Sequence, residues 1–119
     1  MLLIQRGEPP FMGEWALPGG FVEEGEIVAA AAARELAEET GTEAEDLSLI
    51  GVYSTPGRDP RGWTVSIAYL LELDSELAVQ GDDDASAARW FGVDGLPPLA
   101  FDHAQIVSDA LTAVRSRLR

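Results

Sequence analysis

The sequence predicts an α/β fold in which a mixed β-sheet carries helices on both faces. Two kinds of pattern lead there. Short runs of β-branched and aliphatic residues read as strands at Met1–Ile4, Leu47–Ser54, Thr64–Leu73 and Ala88–Val93, whereas Ile27–Thr40 and the stretch from Asp102 onward carry helical spacing. The order strand, helix, strands, helix suits layers built around one sheet, and 119 residues fit a single domain over 1–119.

Taken in order, Leu2, Leu3 and Ile4 open a strand, and Gly7, Pro9, Pro10 and Gly13 then impose a loop. In Trp15-Ala16-Leu17-Pro18-Gly19-Gly20 the glycines let backbone come close to a ligand. Strong helix formers run from Ile27 to Thr40, with Glu23, Glu24 and Glu26 where negative charge suits a helix start and Gly41 as the stop. Leu36, Ala29, Ala32 and Ala33 form its expected packing side. Leu47–Ser54 and Thr64–Leu73 form a strand pair around the Pro56–Gly62 loop, and the segment 76–85 is polar and acidic. After the strand at Ala88–Val93, Gly95–Pro98 breaks the chain. Val107, Ala110, Leu111, Val114 and Leu118 mark the closing helix, with Asp102 as N-cap and Arg115, Arg117 and Arg119 near its C-terminal dipole.

A formal charge of −13 repels phosphate backbones, so nucleic acid polymers are not expected partners. A small anionic substrate meets the same repulsion and must be received by cations and by the few arginines, among them Arg6, Arg58 and Arg61. The absence of cysteine excludes disulfides and thiolate chemistry, and the longest apolar run, Ile27–Ala33, is far short of the roughly 20 residues of a membrane span. No membrane association and a cytoplasmic location are the expectations.

The acidic helix carries the chemistry. At about 100° per residue, Glu35, Glu38 and Glu39 fall within an arc of roughly 100°. An isolated Glu-Glu pair is ordinarily a solvated helix face, but three carboxylates held this close repel one another. A hard divalent cation relieves that repulsion, and Mg²⁺ favours a few carboxylates together with water and phosphate oxygens. The pair is not isolated: Gly20, Glu26, Arg34, Glu35, Leu36, Glu38, Glu39 and Gly41 fall in register with the pattern G-x5-E-x7-R-E-U-x-E-E-x-G-U, U being a bulky aliphatic residue. Only Thr42 departs, at the last position. The chain thus resembles the Nudix hydrolases.

That resemblance implies an α/β/α sandwich and the hydrolysis of a nucleoside diphosphate linked to another moiety, with Mg²⁺ or Mn²⁺ as cofactor. It implies Glu35, Glu38 and Glu39 as metal ligands with the Gly19 carbonyl, and Arg34 with Glu26 as a supporting ion pair. The general base is drawn in this family either from the box or from a distant loop, so Glu76, Asp82, Asp83 and Asp84 stand as candidates beside the box glutamates. RGEPPF, WALPGGFVEEGE, GRDPRGW and LAFDHAQI, with Pro56, are similar to segments of small ADP-ribose pyrophosphatases. The expected reaction is therefore ADP-ribose to AMP and ribose 5-phosphate; the alternatives are a sanitising nucleoside triphosphate pyrophosphatase and a non-catalytic ADP-ribose-sensing domain.

For substrate contacts, Arg58 and Arg61 are expected to grip phosphate or ribose, with Arg6 as a third cation, and Trp15 and Phe101 to stack on the base. Each has a plainer role as surface arginine or core aromatic. The lone His103 suits capping or a core edge better than catalysis. Nudix domains matching these segments usually carry another strand upstream of Met1-Leu2-Leu3-Ile4. Its absence predicts an unpaired strand edge, covered either by an upstream extension or in a homodimer.

Overall fold

The computed structural model describes residues 1–74, 76 and 85–117. Its strands are β1 (Leu2–Arg6), β2 (Trp15–Ala16), β3 (Ser48–Tyr53), β4 (Ser66–Leu70) and β5 (Ala85–Trp90); its helices are α1 (Val28–Thr40) and α2 (His103–Arg117). Each expected element is present with shifted ends. β5 starts three residues before the expected Ala88, and Ile27, expected inside α1, is its extended N-cap. Trp15-Ala16, to which no strand was assigned, forms the short strand β2.

The strands form two antiparallel sheets, one ordered β2-β1-β5 and the other β3-β4, and a single Trp15–Leu99 bridge supplies the parallel component. β1 pairs on both sides, Ile4 with Ala16 of β2 and Leu2 with Trp90 of β5. β1, the first strand of the chain, is thus the centre of its sheet with both edges paired. Helix α1 packs against β4 and β5, and α2 against β3. The core is built from small and branched residues, with Leu3, Ile4, Ala16 and Ala100 buried beside Ile106, Val107 and Ala110 of α2. Among the described residues no helix is long and apolar enough to cross a membrane.

Gly41 ends α1 in the left-handed region at φ 77°, where its N–H bonds the Ala37 carbonyl at 2.9 Å, as its place in the sequence predicts. The expected side of α1, Ala29, Ala32, Ala33 and Leu36, is half-buried and continues to the fully buried Thr40. The packed face is wider than expected: Ala31 and Glu39 are also buried and form an i, i+4, i+8 row with the half-buried Glu35, while Glu38 stays exposed.

Thr42 is buried too. Its N–H bonds Thr40 Oγ1 at 3.2 Å, and that hydroxyl donates to the Leu36 carbonyl at 2.7 Å. Thr42 Oγ1 has no partner among the described residues. A buried hydroxyl without a bond is destabilising, so Thr42→Val, which keeps the shape, is expected to stabilise the protein by about 1 kcal/mol. Thermal unfolding checks this as a rise in Tm of roughly 3–6 °C.

Candidate active site

The site is assembled where the loop after β2 meets α1. Arg34 organises it. Its Nε donates to Glu26 Oε2 at 2.8 Å and its Nη2 to Glu26 Oε1 at 3.0 Å, so the expected ion pair is present as a two-point grip. The remaining nitrogen, Nη1, donates to Glu35 at 2.7 Å and to Glu38 at 3.3 Å, and Nη2 also reaches the Phe21 carbonyl at 3.2 Å. The guanidinium holds the Glu26 carboxyl below its ordinary pKa, and that carboxylate in turn raises the pKa of Arg34. One cation therefore ties the approach loop to two acidic positions of the helix.

Glu39 is treated differently. It is 7% exposed, and its Oε2 accepts the Gly19 N–H at 3.2 Å, bringing the buried carboxylate to the glycine turn. Gly20 makes room for its neighbour: a Cβ built there would stand 2.5 Å from the Glu35 carboxylate. The glycine is thus required by close approach and not by an unusual backbone angle.

Glu35, Glu38, Glu39 and the Gly19 carbonyl are an oxygen-only donor set, the type that suits a hard divalent cation. The chemistry of these donors fits such an ion, and the hollow at Gly20 and the Gly19–Glu39 bond bring Glu35 and Glu39 against the loop. Among the described residues no three acidic or histidine side chains are gathered as a ready ligand cluster, and Arg34 engages Glu35 and Glu38. A test follows from the hollow. Gly20→Ala meets only the far end of a flexible side chain, so its Tm is expected to stay within about 2 °C while displacement of Glu35 lowers kcat about tenfold. Calorimetry and initial rates separate the two effects.

Beside the acidic row lies a strip of cations and rings. Phe101 carries Arg6 at 4.9 Å and Arg61 at 5.3 Å from its centroid, and Arg61 is also 5.2 Å from the Phe21 ring. Phe11 meets Phe101 edge-on at 4.8 Å. Arg61, with its side chain 42% exposed, is held by the buried Asp59 through Nε and Nη2, and the bond lowers the Asp59 carboxyl pKa. Phe21 was not singled out in the sequence; its signal was adjacency to the box glycine.

Arg58 stands elsewhere. Its side chain is 5% exposed, forked onto Asp102 at 2.8 and 2.7 Å and bonded to Thr64 and Ser66 hydroxyls at 3.2 and 2.7 Å. Its observed contacts are protein groups that tie the 55–62 loop to β4 and α2. Asp102, the expected N-cap, spends its carboxylate on this fork. Trp15 packs edge-on to Phe91 at 4.9 Å with Arg89 over its ring at 5.2 Å, so its described ring contacts are to the β5 side of the sheet. His103 is largely buried, and its Nδ1 accepts the Leu17 N–H at 3.0 Å; burial lowers its pKa to about 4, so the ring is neutral. Glu76 is exposed beside Met1, Leu73 and Trp90. Asp82, Asp83 and Asp84 lie outside the described residues.

Comparison with known proteins gives the family and the shared fold. Residues 1–110 match the NUDIX domain. An ADP-ribose pyrophosphatase of Methanocaldococcus jannaschii is 51% identical over 92% of this chain and 64% of its own length. The ADPR responsive transcriptional repressor NtrR of Acinetobacter baylyi is 32% identical over all of this chain and 49% of its own. The NUDIX domain of Shewanella oneidensis NrtR, solved with ADP ribose, superposes with a TM-score of 0.86 at 36% identity, over 99% of this chain and 77% of that one. The chain thus spans about half to two thirds of the length of these two curated relatives. A Gly20-to-Gly41 box folded with Arg34 at its centre, on a backbone that these proteins share, places the chain in the Nudix family.

Proposed function

We propose that this chain hydrolyses the diphosphate bond of ADP-ribose, giving AMP and ribose 5-phosphate, or of a closely related nucleoside diphosphate sugar, giving the nucleoside monophosphate and the sugar phosphate, with Mg²⁺ or Mn²⁺. The observation that carries the reading is the adjacency of two unlike surfaces: the Glu35–Glu39 row, and the Arg6–Phe101–Arg61–Phe21 strip that reaches the residue after Gly20. In a chain of net charge −13 this strip joins exposed positive charge to aromatic faces, which is the chemistry a nucleoside diphosphate needs.

Bound divalent cations would neutralise the diphosphate and lower the pKa of the attacking water. The chain supplies the rest. Glu35, Glu38, Glu39 and the Gly19 carbonyl would hold the cations, Arg34 and Glu26 fix the turn that bears them, and Arg61 and Arg6 orient the anionic substrate against Phe101 and Phe21. Arg61→Ala is expected to raise KM for ADP-ribose about tenfold and to change kcat less than threefold, the signature of lost binding common to ground and transition states.

The direct experiment incubates the protein with ADP-ribose with and without Mg²⁺. AMP and ribose 5-phosphate released only with the cation support the proposal. Pyrophosphate from an oxidised nucleoside triphosphate, with ADP-ribose untouched, points to the sanitising reading, and saturable ADP-ribose binding without turnover points to sensing. The intact box, with every acidic position filled, favours turnover.

We also propose a homodimer, through a different surface from the one the sequence suggested. Leu49, Val52, Val65 and Ile67 are exposed on one face of the β3–β4 pair, with Trp63 94% exposed beside them. Residues 47–58 and 62–71 contain no Asp or Glu, whereas the chain as a whole has 21. Two copies of an acidic chain repel over most of their surfaces, and this neutral apolar face is where they can meet. Sedimentation across a dilution series decides: a dimer that Val52→Glu converts to monomer is expected, and a monomer at every concentration rejects it.

A further inference from the structure

Phe101, Asp102 and His103, the last of them the first residue of α2, each hold a different part of the chain. The Phe101 ring receives Arg6 of β1 and Arg61 of the 55–62 loop. The Asp102 carboxylate takes the fork of Arg58. His103 Nδ1 accepts the N–H of Leu17, a residue 86 positions away in the chain. Phe101 has φ 54°, a left-handed conformation that a bulky residue adopts only where its surroundings over-determine it. That strain is consistent with a turn fixed from three sides at once.

The His103 contact has the shortest path to the chemistry. Leu17 follows the end of β2 and precedes Pro18, which has no N–H, so its amide is the last donor before the glycine turn. Two residues on, the Gly19 N–H meets Glu39 at 3.2 Å. We propose that His103 is a positioning residue: its Nδ1 anchors the Leu17–Gly20 backbone, and through it sets Gly19 against Glu39 and the loop against α1. The step rests on the reading of Gly19 and Glu39 as metal-holding groups. The neutral ring is suited to the task, because an unprotonated Nδ1 must accept while Nε2 carries the proton. Burial keeps it neutral despite the neighbouring Asp102 and Asp59, and Arg58 and Arg6 act in the same direction as burial.

The test compares His103→Phe, which keeps a ring and loses the acceptor, with His103→Asn, whose side-chain oxygen falls near the position of Nδ1. Mn²⁺ binding to the free protein is read by electron paramagnetic resonance, beside kcat and KM for ADP-ribose. His103→Phe is expected to weaken Mn²⁺ binding and lower kcat about tenfold each, with KM within about threefold of wild type, and His103→Asn to restore both to within about threefold. Wild-type Mn²⁺ affinity in His103→Phe overturns the proposal, as does a His103→Asn variant no better than His103→Phe. Should His103→Phe not fold, nitrogen NMR of the wild-type imidazole decides: a proton on Nε2 and a bare Nδ1 are expected, and a protonated Nδ1 overturns the proposal. A wild type that binds Mn²⁺ yet leaves ADP-ribose intact defeats the functional reading alone, since the Mn²⁺ comparison still judges His103.

Discussion

Glu39→Gln is expected to leave the fold in place and lower kcat by about 100-fold or more, a loss of about 2.7 kcal/mol of transition-state stabilisation. The side chain is buried and its Oε2 accepts the Gly19 N–H. Glutamine has the same shape and an amide oxygen that accepts the same bond, so the loop keeps its anchor. What is lost is the charge. A neutral amide is a poor ligand for a hard cation, and Glu39 is the box carboxylate that accepts a hydrogen bond from the glycine loop. The measurement is kcat at saturating Mg²⁺ beside a thermal melt. A variant with more than about a tenth of wild-type kcat, a loss of less than about 1.4 kcal/mol, would remove Glu39 from the ligand set.

The contrast between Glu39 and its neighbours shows what could be read from the chain in advance. The spacing of Gly20, Glu26, Arg34, Glu35, Glu38 and Glu39 is a local pattern, and the contacts it implies span at most 20 positions; the Arg34–Glu26 pair and the Gly41 stop appear where the sequence puts them. Helical periodicity indicated the side of Leu36 and the alanines, which ends in the buried Thr40, but not that burial extends to the row of Ala31, Glu35 and Glu39. The loop bearing Gly19 bonds Glu39 there, and an amphipathic pattern gives no warning of a carboxylate buried against a loop. β2 was not legible for a related reason. Two residues flanked by Leu-Pro-Gly-Gly have no strand period of their own, and Trp15-Ala16 is a strand only because Gln5 and Ile4 lie opposite.

The long-range contacts are where the sequence said least. Arg58 and Arg61 are equivalent in the chain, two arginines in one Gly/Pro loop, and a preference for phosphate was assigned to both. The fold distinguishes them by what lies opposite. Arg58 meets Asp102, 44 positions later, and two hydroxyls of the β4 side, while Arg61 turns back on Asp59 and lies over the rings of Phe21 and Phe101. Thr64 and Ser66 alternate with Val65 and Ile67, so the period-2 pattern did indicate a polar side of β4. It could not indicate that a guanidinium is what that side receives.

The Arg58–Asp102 fork carries the largest expected effect on stability. Asp102→Ala leaves a 5% exposed guanidinium with hydroxyl acceptors and no countercharge from that partner. Removing one member of a buried pair costs about 3 kcal/mol, since the remaining charge keeps its desolvation penalty without its attraction. For a domain of this size the expected fall in Tm is roughly 10–15 °C. The second substitution tests the cause: with Arg58→Met added, the buried charge is gone as well, and part of the loss should return. The pH dependence follows from the same bond. Arg58 holds the Asp102 carboxyl below its usual pKa, the hydrogen bond being the largest cause. A depressed folded pKa means that the unfolded chain binds the proton first, so the stability the pair contributes is complete above about pH 4, the ordinary aspartate value. It is lost as pH falls through the lower folded value. Wild type and Asp102→Ala should therefore differ most at neutral pH and converge in strong acid, and melts at pH 7 and at about pH 2 will read that convergence. A gap that persists unchanged at the lower pH would mean that Asp102 stabilises the α2 turn through packing, and that its charge is not what holds Arg58.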